Sequence, residues 1–254
     1  MSCDLPASRR SIGSMNNNAI LNRRGVMSLG MAAVALPFAS AQQSTQQPTQ
    51  QPTQPKRGSR QDLELVRTIV TAGHSDANIA QVKELLDRDP KLVFASHDWG
   101  DGDWESALGG AAHTGSRAMA RFLLSRGARI DSFCAAMLAQ REVLTALVAA
   151  DPSVVTARGP HGFTLLYHVA SGGDVVVADL LQPHLGTQPK AYTSALSAAA
   201  RDGHLAMTKW LFAHGEVDPN VADGMGRRPL AVAISKGFKE VADELRKHGA
   251  RESD

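Results

Sequence analysis

A short stretch of the chain concentrates side chains that can bind cations. Between residues 97 and 105, carboxylates alternate with glycines and tryptophans, the carboxylates being Asp98, Asp101, Asp103 and Glu105. Such oxygen ligands suit calcium, but the D-x-D-x-D-G spacing of a calcium loop and its closing glutamate at position twelve are absent. We therefore interpret this stretch as a solvated surface loop.

The histidines are the other candidates for metal binding or acid–base catalysis. His113, His168 and His204 have no paired ligand spacing, and the chain has no H-E-x-x-H sequence. His214 and His248 each precede a glycine, where an imidazole can interact with the last carbonyls of a helix. We predict structural roles for the histidines, and neither a metal site nor a cofactor.

Nucleophilic catalysis has little support in the sequence. Ser106, His113 and Asp98 can be assembled into a serine–histidine–aspartate set, but any long chain offers such a set, and the G-x-S-x-G elbow is missing. Cys134 has no neighbour that would lower its pKa, so we predict a buried structural thiol. The sequence predicts a protein that is not an enzyme.

A block of small residues and leucines recurs through the second part of the chain. Its clearest copies are residues 106–115, 164–173, 194–203 and 228–237, and a fifth copy has Ala135-Ala136 as the small pair and Ala139 in place of the final glycine. In each copy an apolar position of a second helix follows eight residues after the final glycine position. The second small-pair positions are residues 112, 136, 170, 200 and 234.

These blocks resemble the T-P-L-H-x-A-A-x-x-G helix opening of the ankyrin repeat, whose period is about 33 residues. The resemblance covers roughly residues 62–250. It implies an all-α solenoid of five to six helical hairpins over residues 61–250, followed by a C-terminal tail at 251–254. Residues 62–73 and 76–88 would form a degenerate N-terminal helix pair. Because ankyrin arrays are binding scaffolds, the resemblance also implies a protein partner, which the sequence does not identify.

The loops between hairpins, called fingers in this fold, differ in length. Full fingers are predicted at residues 97–104 (finger 1), 158–163 (finger 2) and 218–227 (finger 3). The finger before the third repeat is missing, and the loop around residues 183–189 is short. We therefore expect finger 1 to lack a neighbour on that side, and a groove interrupted near the third repeat.

We predict that the fingers and the surface of the first helices bind the partner. The candidate contact residues are Asp98, Trp99, Asp101, Asp103, Trp104, His161, Phe163, Tyr192, Met225 and Arg227. Tryptophans are enriched in interface hot spots, so finger 1 should matter most. Trp99 is the better contact candidate, and Trp104 is equally compatible with packing against the next finger.

The N-terminus has the features of an export signal. Arg23 and Arg24 precede an apolar run at residues 26–38 and an A-x-A site, which predicts a signal peptide over residues 1–41 cleaved between Ala41 and Gln42. The paired arginines resemble a bacterial twin-arginine signal, and an ordinary Sec signal remains the alternative. Translation can start at Met1 or Met15. The expected location is the periplasm or the exterior.

Residues 42–60 form a Gln/Thr/Pro-rich segment that has little to pack, so we predict a disordered spacer. The chain has 27 basic and 25 acidic residues, and it contains no Lys/Arg cluster that would indicate nucleic-acid binding. The apolar run is too short to span a membrane, so we expect no stable insertion after cleavage. We expect a monomer.

Two functions follow from the sequence. The first is an exported, non-catalytic scaffold that binds a protein through its fingers and concave surface. The alternative is an enzyme, or an accessory subunit of an enzyme, with a small-molecule or metal site in the finger groove.

Overall fold

The computed structural model describes residues 60–252. The predicted signal peptide with Arg23 and Arg24, the cleavage site at Ala41 and Gln42, and all but the last residue of the predicted spacer lie outside this range. No helix within it is long and apolar enough to cross a membrane.

The described residues contain twelve α-helices arranged as six consecutive hairpins. The helices are α1 (Arg60–Gly73), α2 (Ile79–Arg88), α3 (Ala107–Thr114), α4 (Arg117–Ser125), α5 (Ser132–Met137), α6 (Arg141–Ala150), α7 (Leu165–Gly172), α8 (Val175–Leu185), α9 (Pro189–Asp202), α10 (Leu205–His214), α11 (Pro229–Ser235) and α12 (Lys239–Lys247). The first helix of each hairpin packs against the first helix of the next. This arrangement confirms the predicted all-α solenoid.

The core follows the predicted repeat positions except at Leu147, which is exposed while its neighbour Val148 is buried. Ala112, Ala136 and Ala170 are buried. Their small side chains let the neighbouring first helix approach closely, and that helix covers them. Leucines on the second helices, such as Leu123 and Leu211, are fully buried between layers. Neither helix of a hairpin has enough apolar area to be stable alone, so stability comes from stacking.

Helix α5 is followed by an alanine where the other repeats have a glycine, and yet the backbone there has the same left-handed geometry. Gly173 ends α7 in the left-handed region with φ of 76°, and Ala139 adopts φ of 56° at the equivalent position of the third hairpin. A residue with a Cβ atom is strained in that region, whereas glycine is not. The prediction that Ala139 stands where the glycine should be is therefore confirmed by the backbone.

The ends of the array differ from its middle. Helices α1 and α2 form the predicted N-terminal pair, with Val82 and Leu86 buried at second-helix spacing. In the last hairpin, Ile234 occupies the second small-pair position and is exposed. Among the described residues no later hairpin covers it, so a larger side chain is tolerated there.

The fingers have the predicted unequal lengths. Finger 1 is a hairpin in which β1 (Ser96–Asp98) pairs antiparallel with β2 (Trp104–Ser106). Finger 2 is closed by a bridge between Arg158 and Thr164. Only residues 186–188 separate α8 from α9, and α9 begins several residues earlier relative to its repeat than the other first helices. A gap therefore lies between fingers 2 and 3.

Candidate functional site

Glu105 lies at the base of finger 1 and is buried, with 1% of its surface exposed. The strand β2 points alternate side chains to opposite faces, so Glu105 faces inward while Trp104 faces solvent. Ser106 then caps α3 by accepting a hydrogen bond from the Gly109 N–H at 3.1 Å. The strand and the cap together hold the carboxylate in place.

Three histidines from different parts of the chain surround this carboxylate. His74 Nε2 lies 2.9 Å from Glu105 Oε2, and His113 Nδ1 lies 2.9 Å from Glu105 Oε1. His161 Nε2 lies 3.4 Å from Glu105 Oε2. Trp99 donates its indole N–H to the same oxygen at 2.8 Å. We call His74, Glu105, His113 and His161 the histidine–glutamate cluster.

The sequence makes room for His74 through Gly110. His74 directly follows α1 and lies over α3, where a Cβ atom on Gly110 would be 2.2 Å from its Cδ2. Real Cβ contacts are never this short, so a side chain at position 110 would displace the imidazole. Gly110 therefore leaves the space that one member of the cluster occupies.

The charge of Glu105 is set by opposing effects on its pKa. Burial raises the pKa, but the imidazoles of His113 and His74 lower it further than burial raises it. The net shift places the pKa well below its usual range. Glu105 is therefore a carboxylate at neutral pH.

Finger 1 has a neighbour, contrary to expectation. The backbone N–H of His161 in finger 2 donates to Asp103 Oδ1 at 2.8 Å, and His161 Nδ1 lies 2.7 Å from Asp103 Oδ2. The missing finger of the third repeat brings fingers 1 and 2 into direct contact. The expected interruption near the third repeat is thus wrong at this point, because finger 2 fills it.

A groove of about 740 Å³ opens between fingers 2 and 3, where the loop before α9 is short. Phe163 and Tyr167 stack at its wall with ring centroids 4.2 Å apart. Met225, 77% exposed, and Val221 line the opposite side. The surface combines apolar area with a few polar groups, which is the composition of a binding site.

Arg201 fixes one part of this groove. Its Nη1 donates to Tyr167 Oη at 2.7 Å and to the His113 carbonyl at 3.0 Å, and its Nη2 donates to Asp202 Oδ2 at 2.7 Å. Burial lowers the pKa of Arg201, but the contact with Asp202 outweighs it and raises the pKa above the usual value. The guanidinium joins the second, fourth and fifth hairpins and keeps its charge.

Residues 167–253 match a family model described as ankyrin repeats, in three copies. This part of the chain is similar to ankyrin repeats. Among curated proteins, no match was found. The matched region contains the last helices and finger 3, and ankyrin repeats in general are protein-interaction modules. The earlier hairpins share the helical-hairpin architecture but lie outside the match.

The structure separates the predicted contact residues into groups. His161, Phe163, Met225 and Arg227 line the groove. Asp98 and Asp101 are exposed at finger 1. Tyr192 is buried and stacks on Trp210 with ring centroids 6.2 Å apart, so it is not a surface contact, and its prediction is corrected.

The expectation that Trp99 is the better contact residue of finger 1 is wrong, and the open question about Trp104 is decided in favour of exposure. Trp99 is half-buried, packs against the core and donates to Glu105. Trp104 is 61% exposed, because β2 turns it to the outer face. Trp104 is therefore the exposed aromatic of finger 1, and an exchange of Trp99 for alanine would perturb the cluster as well as any interface.

Sequence reasoning missed the part played by His74, Glu105, Tyr167 and Arg201. The sequence places Glu105 among solvated aspartates, but its position on an alternating strand, next to a helix-capping serine, turns it inward. His74 follows a helix-ending glycine just as His204 follows Gly203, and this shared position was a usable signal. Contacts across repeats, such as Tyr167 with Arg201, have no sequence signal of this kind.

Proposed function

We propose that this chain is a non-catalytic scaffold that binds a protein partner in the groove between fingers 2 and 3. The single observation behind this proposal is the groove itself, with exposed apolar side chains facing an aromatic wall. An exposed methionine is costly to leave in water and adapts its shape to a partner. The similarity of this region to ankyrin repeats supports the same function.

The charges around the groove favour a partner segment that is apolar and acidic. Lys190, Arg201 and Arg227 line it, against the carboxylate of Asp223. Arg227 pairs with Asp223 at 2.8 Å, so these two charges offset each other. Arg201 is likewise paired with Asp202 at 2.7 Å, so Lys190 supplies the positive charge that remains, which attracts an acidic segment and raises the rate of association.

Met225 offers the sharpest test of this binding surface. We expect Met225→Asp in the full chain to weaken capture of the partner about 30-fold, because it places a charge where an apolar side chain is buried on binding. The melting temperature should not change, since Met225 is exposed. A photo-crosslinking residue at position 225 identifies the partner. Titration of that partner against the unmodified chain and the variant then measures the affinity.

Leu63→Asp is the matched control, because Leu63 is also an exposed apolar residue and does not line the groove. It should bind as the unmodified chain does. Equal loss in both variants, or full binding by Met225→Asp, would contradict the groove as the interface. Trp104→Ala in the same series tests finger 1 as a second contact, with Asp98 and Asp101 as its charged neighbours.

The N-terminal features motivate a further part of the proposal, namely that the chain is a bacterial export product that acts in the periplasm or outside the cell. Its support is the sequence of residues 1–41 alone. Replacing Arg23 and Arg24 by lysines should leave the protein in the cytoplasm if the twin-arginine route is used, and should leave Sec export largely intact. Cell fractionation and N-terminal sequencing measure this, and an uncut cytoplasmic chain would contradict export by either route.

One observation favours the alternative function, an enzyme or an accessory subunit of an enzyme. His113 and His161 belong to the histidine–glutamate cluster and also line the groove. The scaffold proposal requires that the purified chain hydrolyse no ester, phosphoester or peptide substrate, with or without added Zn²⁺. Turnover that disappears in Glu105→Gln would favour the enzyme instead.

A further inference from the structure

The histidine–glutamate cluster has the composition of a metal site. The ligating atoms of His74, Glu105 and His113 all lie within 4.8 Å of one another. Two imidazoles with one carboxylate form a ligand set used for zinc and other first-row divalent metals. The residues come from three separate elements, so their convergence is a property of the fold and not of local sequence.

The buried polar atoms of the cluster give an independent indication. His113 Nδ1 and Glu105 Oε1 approach to 2.9 Å, yet their angles are not those of a hydrogen bond. Within residues 60–252, neither atom has another hydrogen-bond partner. Glu105 is 1% exposed and His113 is 9% exposed, so water does not easily supply the hydrogen bonds that this close contact leaves unmade. Buried polar atoms of this kind are rare in native proteins and need an explanation.

His161 adds a third imidazole with a defined tautomer. Its Nδ1 lies 2.7 Å from Asp103 Oδ2, and because a carboxylate only accepts, Nδ1 must hold the proton. In the neutral ring, Nε2 then presents a lone pair toward Glu105 Oε2 at 3.4 Å. Two acceptors facing each other are repulsive unless a second proton on the ring or a cation lies between them, and a metal ion supplies the second of these. A carboxylate on the outer nitrogen of a ligating histidine is also the usual second layer of a zinc site.

We propose that this cluster binds one divalent metal ion of the zinc class. His74 Nε2, His113 Nδ1 and the Glu105 carboxylate are the ligands, and His161 Nε2 closes the fourth position. Ligand atoms around a tetrahedral zinc ion are about 3.4 Å apart, so the 2.9 Å contacts need to widen by about half an ångström. Calcium and magnesium are excluded as occupants because they prefer oxygen ligands to imidazoles.

The bound ion would act as a clip between parts of the solenoid that are distant in sequence. His74 follows α1, Glu105 and His113 belong to finger 1 and α3, and His161 belongs to finger 2. An ion that binds all of them stabilises the folded chain and not the unfolded one. This role does not depend on the groove or on any partner.

The rival explanation is a carboxylate held only by N–H donors from the surrounding imidazoles and Trp99. The full 254-residue chain, untagged and treated with a chelator, separates the two when it is titrated with Zn²⁺ and with Co²⁺. We expect one ion per chain by elemental analysis, a higher melting temperature, and the visible absorption of tetrahedral cobalt. Mg²⁺ should have none of these effects.

Variants identify the ligands. His74→Asn should lower the Zn²⁺ affinity about 100-fold or more, whereas His204→Asn, at the equivalent position after the glycine that ends α9, should leave it unchanged. Asp103→Asn removes no ligand and should lower the affinity about 10–100-fold through the orientation of His161. Gly110→Ala displaces His74 without removing any ligating group, so it should weaken binding while circular dichroism shows an intact fold.

The proposal is overturned if the unmodified chain binds no ion stoichiometrically, or if His74→Asn and His204→Asn bind Zn²⁺ equally well. If Glu105→Gln fails to fold, Gly110→Ala and Asp103→Asn still decide the question, since both keep the buried carboxylate. None of these measurements involves the protein partner, so failure of the metal site and failure of the groove proposal are distinguishable.

Discussion

Replacing Leu211 by alanine is expected to lower the free energy of unfolding by about 2–5 kcal/mol. Leu211 lies in α10, is fully buried and belongs to the core shared by the last four hairpins. The substitution removes methyl groups from water-free contacts and leaves a cavity that rigid neighbouring helices fill only in part. Denaturant titration with a shared slope for both proteins measures the loss.

Leu147→Ala is the matched control, because it makes the same chemical change on a second helix. Leu147 is one of the apolar pair in α6 but is exposed, while its neighbour Val148 is buried. We expect a loss of about 1 kcal/mol or less. Equal losses at the two positions would contradict the helix register that assigns Leu211 to the interior.

Lowering the pH from 7 to 5 is expected to destabilise the protein by about 2 kcal/mol through His168. Burial lowers the pKa of His168 to about 4, and its Nδ1 lies 2.9 Å from the Thr164 carbonyl. In the unfolded chain the histidine pKa is about 6.5, so between pH 6.5 and 4 the unfolded chain binds a proton that the folded chain does not bind. Stability is therefore full above pH 6.5 and falls between pH 6.5 and 4.

The variant His168→Asn tests this dependence, because an asparagine amide can donate to the Thr164 carbonyl and does not titrate. The difference in unfolding free energy between pH 7 and pH 5 should shrink by most of the expected amount. Burial also lowers the pKa of His204, which contributes in the same direction and remains in the variant. The lowered carboxylate pKa of Asp202 acts below this range. An unchanged pH dependence in the variant would show that folding does not lower the pKa of His168.

The short connections before α5 and α9 explain where the histidine–glutamate cluster and the groove lie. The loop before α5 has no finger, and this lets His161 of finger 2 reach Asp103 of finger 1. The connection before α9 is also short, and the space above it is the groove. Differences in loop length between repeats thus created both the histidine–glutamate cluster and the candidate binding surface, while the helical core stayed regular.

The repeated pattern determined the helical core of this protein, because it depends on local and periodic properties. The small pair at Ala135-Ala136, the leucine at Leu211 and even the helix end at Ala139 were assigned from spacing alone. Each position faces the same environment in every repeat, so one physical requirement recurs at a constant interval. The unequal fingers followed from the same counting.

Tertiary structure alone decided which side chains meet across repeats. Glu105 lies among solvated aspartates in the sequence. Because side chains along β2 alternate between its two faces, Glu105 points inward to His74 and His113. The same alternation turns Trp104 outward, while Trp99 in the turn packs against the core. Such contacts depend on how far each finger projects and on which finger is absent beside it. Spacing within one repeat contains no information about distances between repeats, so the cluster and the groove became visible only when the hairpins were stacked.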